Sequence, residues 1–415
     1  MGAFAAQGFA ALVATLATFS VGLMLSWITP SLPKFFHEAS SVNYEDEIKV
    51  TPEEGSWIAS MLFLATVFGP PLSMITVDRI GRKWSLGGIV VILLISWIIT
   101  GWARTVELID VGRFIGGLAV GAVFPLTAIY LGEIAEDRSR GIVSSALSVS
   151  MNAGQVLAVG AGPWVSRAML STISIIPLTV FIIAFPWIPE TPYYWLIRGA
   201  REKAATSLIF LRQRSDVEKE LAALESAVYQ DQKNQHGFGA TTLFRVRSSR
   251  RAFLIGIGLM TFQQLSGSQA IISYAGIILT TSGIPGWTNW SMFILGMFQL
   301  VAASGSLFLI DSLGRRPLLI SSSLLTSIFI FLEAVFFHLQ YLGCDMSLFR
   351  WVPLVGLVGF TVAIVPGLCG VPWLMINEIF SADTKAFASM LLGMYGSLLG
   401  FLLTKLYEPA SSELG

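Results

Sequence analysis

The sequence predicts an all-α protein that crosses a lipid bilayer many times, built from two repeated sets of helices. Three observations carry this. Hydrophobic residues make up 54% of the chain and charged residues only 13%, against about a quarter charged in soluble domains, and mean hydropathy is +0.71. Apolar runs of about 20 residues, the length of a helix that spans hydrocarbon, recur along the chain. Two short charged motifs recur in the same order at matching places between those runs.

Eleven such runs are predicted as spans: 8–30, 56–77, 84–103, 108–131, 142–165, 169–188, 253–281, 290–310, 317–340, 351–376 and 386–407. Unbroken runs this long exclude strands, and backbone polar groups in lipid must be satisfied within helices. Interior Gly and Pro are frequent, which membrane helices tolerate. No basic segment or small-residue cleavage site precedes the first run, so it reads as a retained span rather than a signal peptide. Zero net charge argues against a nucleic-acid partner. Two cysteines, Cys344 and Cys369, are too few for a disulfide framework.

Lysine and arginine set the orientation. The loops after spans two, four, six, eight and ten hold 19 of the 26 basic residues, which assigns them to the cytoplasm together with the N-terminus. The opposite side receives an acidic first loop with Glu38, Glu45, Asp46, Glu47, Glu53 and Glu54. The chain divides into an N-terminal bundle (1–188), a cytoplasmic helical linker domain (189–252) and a C-terminal bundle (253–415). Within the linker, 201–212 and 216–232 have helical composition. Val217, Leu221, Leu224 and Val228 recur at three or four residues, one face of an amphipathic helix.

The internal repeat is the sharpest signal. After span two the chain reads Asp78-Arg79-Ile80-Gly81-Arg82-Lys83, and after span eight Asp311-Ser312-Leu313-Gly314-Arg315-Arg316. Glu133 follows span four with Arg140 seven residues on, and Glu378 follows span ten with Lys385 seven residues on. This order predicts a duplicated six-helix unit, the parallel repeat of major facilitator transporters. Acids and bases at these helix ends can pair across two halves that rock against each other. They form a cytoplasmic gate: Asp78, Arg79, Arg82, Glu133, Arg140, Asp311, Arg315, Arg316, Glu378 and Lys385. A single wet ion pair contributes about 1 kcal/mol or less, but several together bias a two-state equilibrium.

Further motifs resemble the sugar porter family of the major facilitator superfamily over nearly the whole chain. Pro189-Glu190-Thr191-Pro192 is similar to that family's P-E-[ST]-P-R-[FY]-L, with Tyr193 in place of the arginine. Gln263-Gln264-Leu265-Ser266-Gly267 matches its QQ-x-[ST]-G signature, and Tyr130, Glu133 and Arg140-Gly141 match its Y-x-x-E and R-G elements. Trp27, Thr29, Pro30, Leu32 and Pro33, with Ser56-Trp57-Ile58, look like arthropod members of the trehalose-transporter type. The resemblance implies a major facilitator fold and transport of a sugar, trehalose or a hexose, by a multi-pass protein of the plasma membrane.

Side-chain chemistry agrees. A sugar offers many hydroxyls and no charge, so its binder needs neutral amides that donate and accept, plus a flat apolar surface. Gln263, Gln264, Gln269 and Gln299 supply amides within spans, and Trp373 supplies a ring. The same glutamines also suit plain interhelical hydrogen bonding. Ser148 stands where the family has its span-five glutamine, Gln269 where it has an asparagine, Ser273 where it has a tyrosine. The span-ten G-P-x-P-x-P-W pattern is reduced to Gly367-Leu368-Cys369-Gly370-Val371-Pro372-Trp373, leaving the choice of sugar open.

Proton-coupled members carry an acid in span one, and no charged residue lies between Met1 and Thr29. Passive uniport is therefore expected, with Glu333 of span nine read as a lipid-edge or interhelical residue. His37, His236 and His338 are scattered, and neither a metal-ligand cluster nor a nucleophile–base set appears, so neither enzyme activity nor a cofactor is expected. Asn289-Trp290-Ser291 fits a glycosylation sequon close to the membrane. The chain ends eight residues after span eleven, where the repeat predicts a twelfth. A non-transporting sugar sensor or an inactive paralogue is the alternative reading.

Overall fold

The computed structural model describes residues 2–36, 48–136, 140–234, 239–282 and 287–414. Among them, nine helical units are long and apolar enough to cross a membrane: Ala5–Phe36, Pro52–Ile80, Arg82–Trp102, Val106–Ile134, Arg167–Trp187, Thr288–Ile310, Arg315–Tyr341, Ser347–Ile379 and Thr384–Ser411. These correspond to nine of the eleven expected spans. Spans five and seven do not meet that measure, and each has a physical reason. Span five is the 22-residue helix Arg140–Ala161, made polar by four serines, Asn152 and Gln155. Span seven is cut by Gly267, at φ 74°, into Arg247–Leu265 and Ser268–Thr281.

Other spans are broken too, each where the sequence explains it. Span one turns at Trp27 between Gly2–Ser26 and Ile28–Phe36. Span two breaks before Pro70-Pro71, giving Pro52–Thr66 and Gly69–Ile80. Its start carries a capping box: Thr51 Oγ1 accepts from Glu54 N–H while Thr51 N–H donates to Glu54 Oε2 at 2.8 Å. Span ten relaxes into a π-helical turn at Val365–Cys369, because Pro366 has no N–H for the regular ladder.

The first half is tightly interlocked. A Cβ on Gly22 would collide with the Met151 carbonyl, and one on Gly154 with the Phe19 carbonyl, so bare glycines let spans one and five touch backbone to backbone. In the second half, Glu333 is buried against Gly356, between spans nine and ten, which makes it interhelical.

The repeat is visible in the backbone. Gly81 (φ 96°, ψ 168°) and Gly314 (φ 80°, ψ 163°) adopt the same left-handed turn at equivalent motif positions. The end of the bundle bearing these turns is called the loop end below. Linker helices Pro192–Ile197, Arg201–Arg212 and Glu218–Asn234 lie there. Val217, Leu221 and Val228 are buried with Leu196, Ala204 and Leu208, and Leu224 packs against them, so the predicted stripe has its own small core. Arg212 fastens this layer to span four, bonding the Ile134 carbonyl at 3.0 Å and Glu220 at 2.7 Å. Burial raises the Glu220 acid, but the hydrogen bonds and charges of Arg212 and Arg214 outweigh it and hold the carboxyl below its ordinary value.

The two halves meet mainly at the end opposite the loops. Pro52–Thr66 packs along Ala382–Leu414, and Ser268–Thr281 packs against Ile28–Phe36. Thr29 Oγ1 donates to the Ile272 carbonyl at 2.9 Å. Gly276 comes so close to the Thr29 carbonyl that a Cβ there would overlap it.

Candidate functional site

Four of the six residues predicted to bind substrate converge on spans ten and eleven. Gln263 and Gln264 end the first piece of span seven, where the helix stops and its backbone no longer constrains them. Gln263 Nε2 donates to the Cys369 carbonyl at 3.3 Å, a group freed by the π-turn of span ten. Its neighbour Gln264 faces span eleven. A Cβ on Gly400 would stand 3.4 Å from Gln264 Oε1 and 3.6 Å from Gln269, and one on Gly393 3.6 Å from the Trp373 ring. Gly393, Gly396 and Gly400 thus form a bare stripe that Gln264, Gln269 and Trp373 all address.

Both signature amides keep an open valence. Gln263 Oε1 and Gln264 Oε1 are buried and accept no hydrogen bond. A buried acceptor without a donor costs about 1–3 kcal/mol, and hydroxyl groups are the donors such oxygens fit. Trp373 is 43% exposed.

Gln299 goes elsewhere. Its Nε2 donates to Gln155 Oε1 at 2.7 Å, from span eight in the second half to span five in the first. Ser148 lies two turns before Gln155 and is half-buried; its carbonyl accepts from Asn152. The span-five amide is therefore Gln155, a residue the sequence reading passed over. Periodicity alone gives no sign of a partner 144 residues away.

Two further cations, one buried and one half-buried, bear on the site without having been singled out from sequence. Arg113 on span four is fully buried under Trp27. It donates to the Met24 carbonyl at 2.9 Å and the Ile58 carbonyl at 3.2 Å. Met24 lies in the last turn of Gly2–Ser26, where carbonyls lack intrahelical partners and the helix end is negative. Backbone carbonyls hold its Nε and Nη1, its Nη2 has no hydrogen-bond partner, and the charge of Asp110 on the same span acts on it. Lys405 on span eleven reaches Ser56 of span two.

At the loop end the two motif copies build the same pair. Arg82 Nε meets Glu133 Oε1 at 3.0 Å, and Arg315 Nη2 meets Glu378 Oε1 at 2.8 Å. Both pairs are internal to a half, rather than bridging the halves as the sequence suggested. Each motif arginine starts a helix that lies beside the acid of its own repeat. Their surroundings differ. The first pair is buried, at 6% and 15% side-chain exposure, and the second lies open at 41% and 49%. Cover for the first comes from the linker: Tyr193 and Tyr194 stack on the Arg82 guanidinium at 5.6 and 5.7 Å. Glu190 accepts the N–H groups of Arg82, Lys83 and Thr191 at 3.0–3.1 Å. Burial holds the Glu190 carboxyl above its ordinary range, against the pull of those three amides.

Of the other residues expected at the gate, Asp78, Arg79, Arg316 and Lys385 are exposed or half-exposed. The Asp78 and Arg79 carbonyls accept from Arg198. Arg316 is exposed beside Arg315. Lys385 N–H bonds the Ser381 carbonyl in the first turn of span eleven. The side chains of Arg140 and Asp311 lie outside the described residues, as do His37, His236 and Glu38, Glu45, Asp46 and Glu47 of the acidic loop. Asn289 falls in the first turn of Thr288–Leu313, and Ser291 of its sequon is buried. Among the described residues, Cys344 and Cys369 are free and no group of metal-ligating side chains is found.

Residues 7–415 match the family model described as sugar (and other) transporter. A facilitated trehalose transporter of Apis mellifera ligustica is 29% identical over 410 residues, covering 99% of this chain and 80% of that protein. A facilitated trehalose transporter of Anopheles gambiae is 29% identical over 411 residues, and this chain spans about half of its length, 51%. The fold is similar to the xylose transporter of E. coli in a partially occluded inward open conformation. The TM-score is 0.75 at 20% identity, with 97% of this chain and 91% of that one covered. A proton:xylose symporter bound to 6-bromo-6-deoxy-D-glucose also gives 0.75 at 20% identity, covering 99% and 90%.

Proposed function

This chain belongs to the sugar (and other) transporter family, and we propose that it carries a neutral sugar, trehalose or a hexose, passively across the plasma membrane by alternating access. The observation that carries this is the pair of buried, unmatched amide oxygens on Gln263 and Gln264. Uncharged acceptors, a half-exposed tryptophan and a bare glycine stripe suit a ligand with hydroxyls and an apolar ring face. Trehalose is favoured among such sugars because the relatives from Apis and Anopheles are called facilitated trehalose transporters.

The loop end faces the cytoplasm in this reading, as its basic residues require. The halves are packed at the far end and the motif pairs are satisfied within each half, which corresponds to closure on the outer side. Sugar binding between the halves and a rocking motion then expose the site to either side in turn. Uniport is supported by a span one without acids. Gln263, Gln264, Gln269 and Trp373 contact the sugar from the second half, with Gln155, Gln299 and Ser148 at the seam. Asp78, Arg79, Arg82, Glu133, Arg140, Asp311, Arg315, Arg316, Glu378 and Lys385 tune the inner gate.

Purified chain in proteoliposomes tests this with radiolabelled trehalose and D-glucose. Saturable uptake and counterflow without any ion gradient are expected. Uptake that appears only under an imposed pH gradient overturns uniport. Sugar binding with no flux overturns transport and favours the sensor.

A further inference from the structure

Span eleven carries a half-buried lysine near the end of its apolar run opposite the loops, and a charge at a span end is best placed where polar groups can hold it. Lys405 is held by the other half of the molecule. Its ammonium donates to Ser56 Oγ at 2.7 Å and reaches the Glu53 carbonyl at 3.5 Å, both at the start of span two. It stands 4.2 Å above the Trp57 ring, a cation–π distance, and one turn earlier Phe401 packs on the same ring at 6.2 Å. The charges of Glu53 and of Asp110 on span four act on it as well.

Every direct contact named here joins span eleven of the second half to span two of the first. All of them lie at the end where the halves are closed. Thr29 with Ile272 and Gly276 with Thr29 also join the halves there, but through a short threonine hydroxyl and a bare glycine, neither of which can reach after a parting surface. Lys405 differs: its flexible stem reaches from one half to several groups on the other, and when the halves part the ammonium must leave them all. Separation therefore removes a charge-assisted hydrogen bond and a cation–π contact together, while closure restores both.

We propose that Lys405 is a positioning residue of the transport cycle, a cationic latch that sets how much of the protein is closed at the end opposite the loops. The proposal rests on the transport reading. It adds a control point distant from Gln263 and Gln264, with Ser56, Trp57 and the Glu53 carbonyl as its keeper.

The test uses the full chain with Cys344 and Cys369 changed to serine. Spin labels are placed at Glu107→Cys in the first half and Ala410→Cys in the second. Pulsed dipolar spectroscopy then reads the separation of that end with no sugar present. Lys405→Met is expected to move the population about tenfold toward longer distances. It also raises the ratio of access from the end opposite the loops to access from the loop end in flux assays, seen as unequal changes of KM from the two faces. Lys405→Arg, which keeps the charge and the ring contact, restores both. Unchanged distances and KM values in Lys405→Met overturn the latch, and so does a lowered melting temperature with neither readout moved. Failure of transport itself reads differently: the unmodified chain then carries no sugar, whatever the distances do.

Discussion

The Glu190 carboxylate accepts the backbone N–H of Arg82 at 3.1 Å, so the segment after span six caps the helix that begins span three, 108 residues earlier. A carboxylate over exposed N–H groups at a helix start satisfies both their hydrogen bonds and the positive end of the helix. Glu190→Ala should lower stability by about 0.5–2 kcal/mol, the usual cost of a lost cap, measured as thermal unfolding in detergent.

The same residue gives a pH dependence. Burial raises the Glu190 acid in the folded protein, so the folded state retains a proton that the unfolded state has released. Its contribution is fully present below the ordinary carboxyl range and declines as pH rises through the raised value. The melting temperature of the wild type minus that of Glu190→Gln should therefore fall as pH rises through and above the ordinary carboxyl range. A difference that rises with pH overturns this.

Equivalent pairs in unequal surroundings should respond unequally. Glu133→Gln removes the ion-paired carboxylate from the buried Arg82, leaving the Glu190 charge nearby, and should cost about 3 kcal/mol. Glu378→Gln opens an exposed pair and should cost about 1 kcal/mol or less. Parallel unfolding of the two variants reads the difference directly.

The motif glycines separate strain from contact. Gly314→Ala places its Cβ in open space and pays only for the positive-φ, extended-ψ backbone, about 1–3 kcal/mol. Gly81→Ala pays that and also drives its Cβ into the Glu190 carboxylate. Its loss should exceed that of Gly314→Ala, and Glu190→Ala should narrow the gap in the double variant.

Gln264 should trade stability for affinity. Gln264→Leu removes an unmatched buried oxygen, so the melting temperature is expected to hold or rise. Sugar KM should increase about 10–100-fold, the equivalent of one or two lost hydroxyl contacts. A variant that melts lower and keeps its KM contradicts the assigned role.

What sequence made legible was whatever repeats or has a period. The D-x-x-G-R motifs announced matching glycine turns, and the spacing of Val217, Leu221 and Val228 announced a packed linker helix. The helix at Arg201–Arg212 has the predicted bounds, since Gln213, in the left-handed region at φ 51°, ends it. Pairings across the seam were not legible. Gln155 and Lys405 sit in spans whose local pattern is merely polar or merely odd, and their partners are distant in sequence. The direction of the motif ion pairs was missed for a related reason: charge and order locate helix ends, but only packing decides which neighbour each end faces.

The apolar core is unevenly shared. One continuous cluster runs through the first half and takes in Tyr274, Ile278, Met292 and Leu357 of the second, whose other buried side chains fall into small separate groups. A ribosome delivers the first half first. Spans one to six can complete their packing while the remainder is still being made, and later spans then assemble against a finished surface. Mutations in the first half should thus reduce the yield of inserted protein, whereas those in the second should leave a folded first half awaiting its partner.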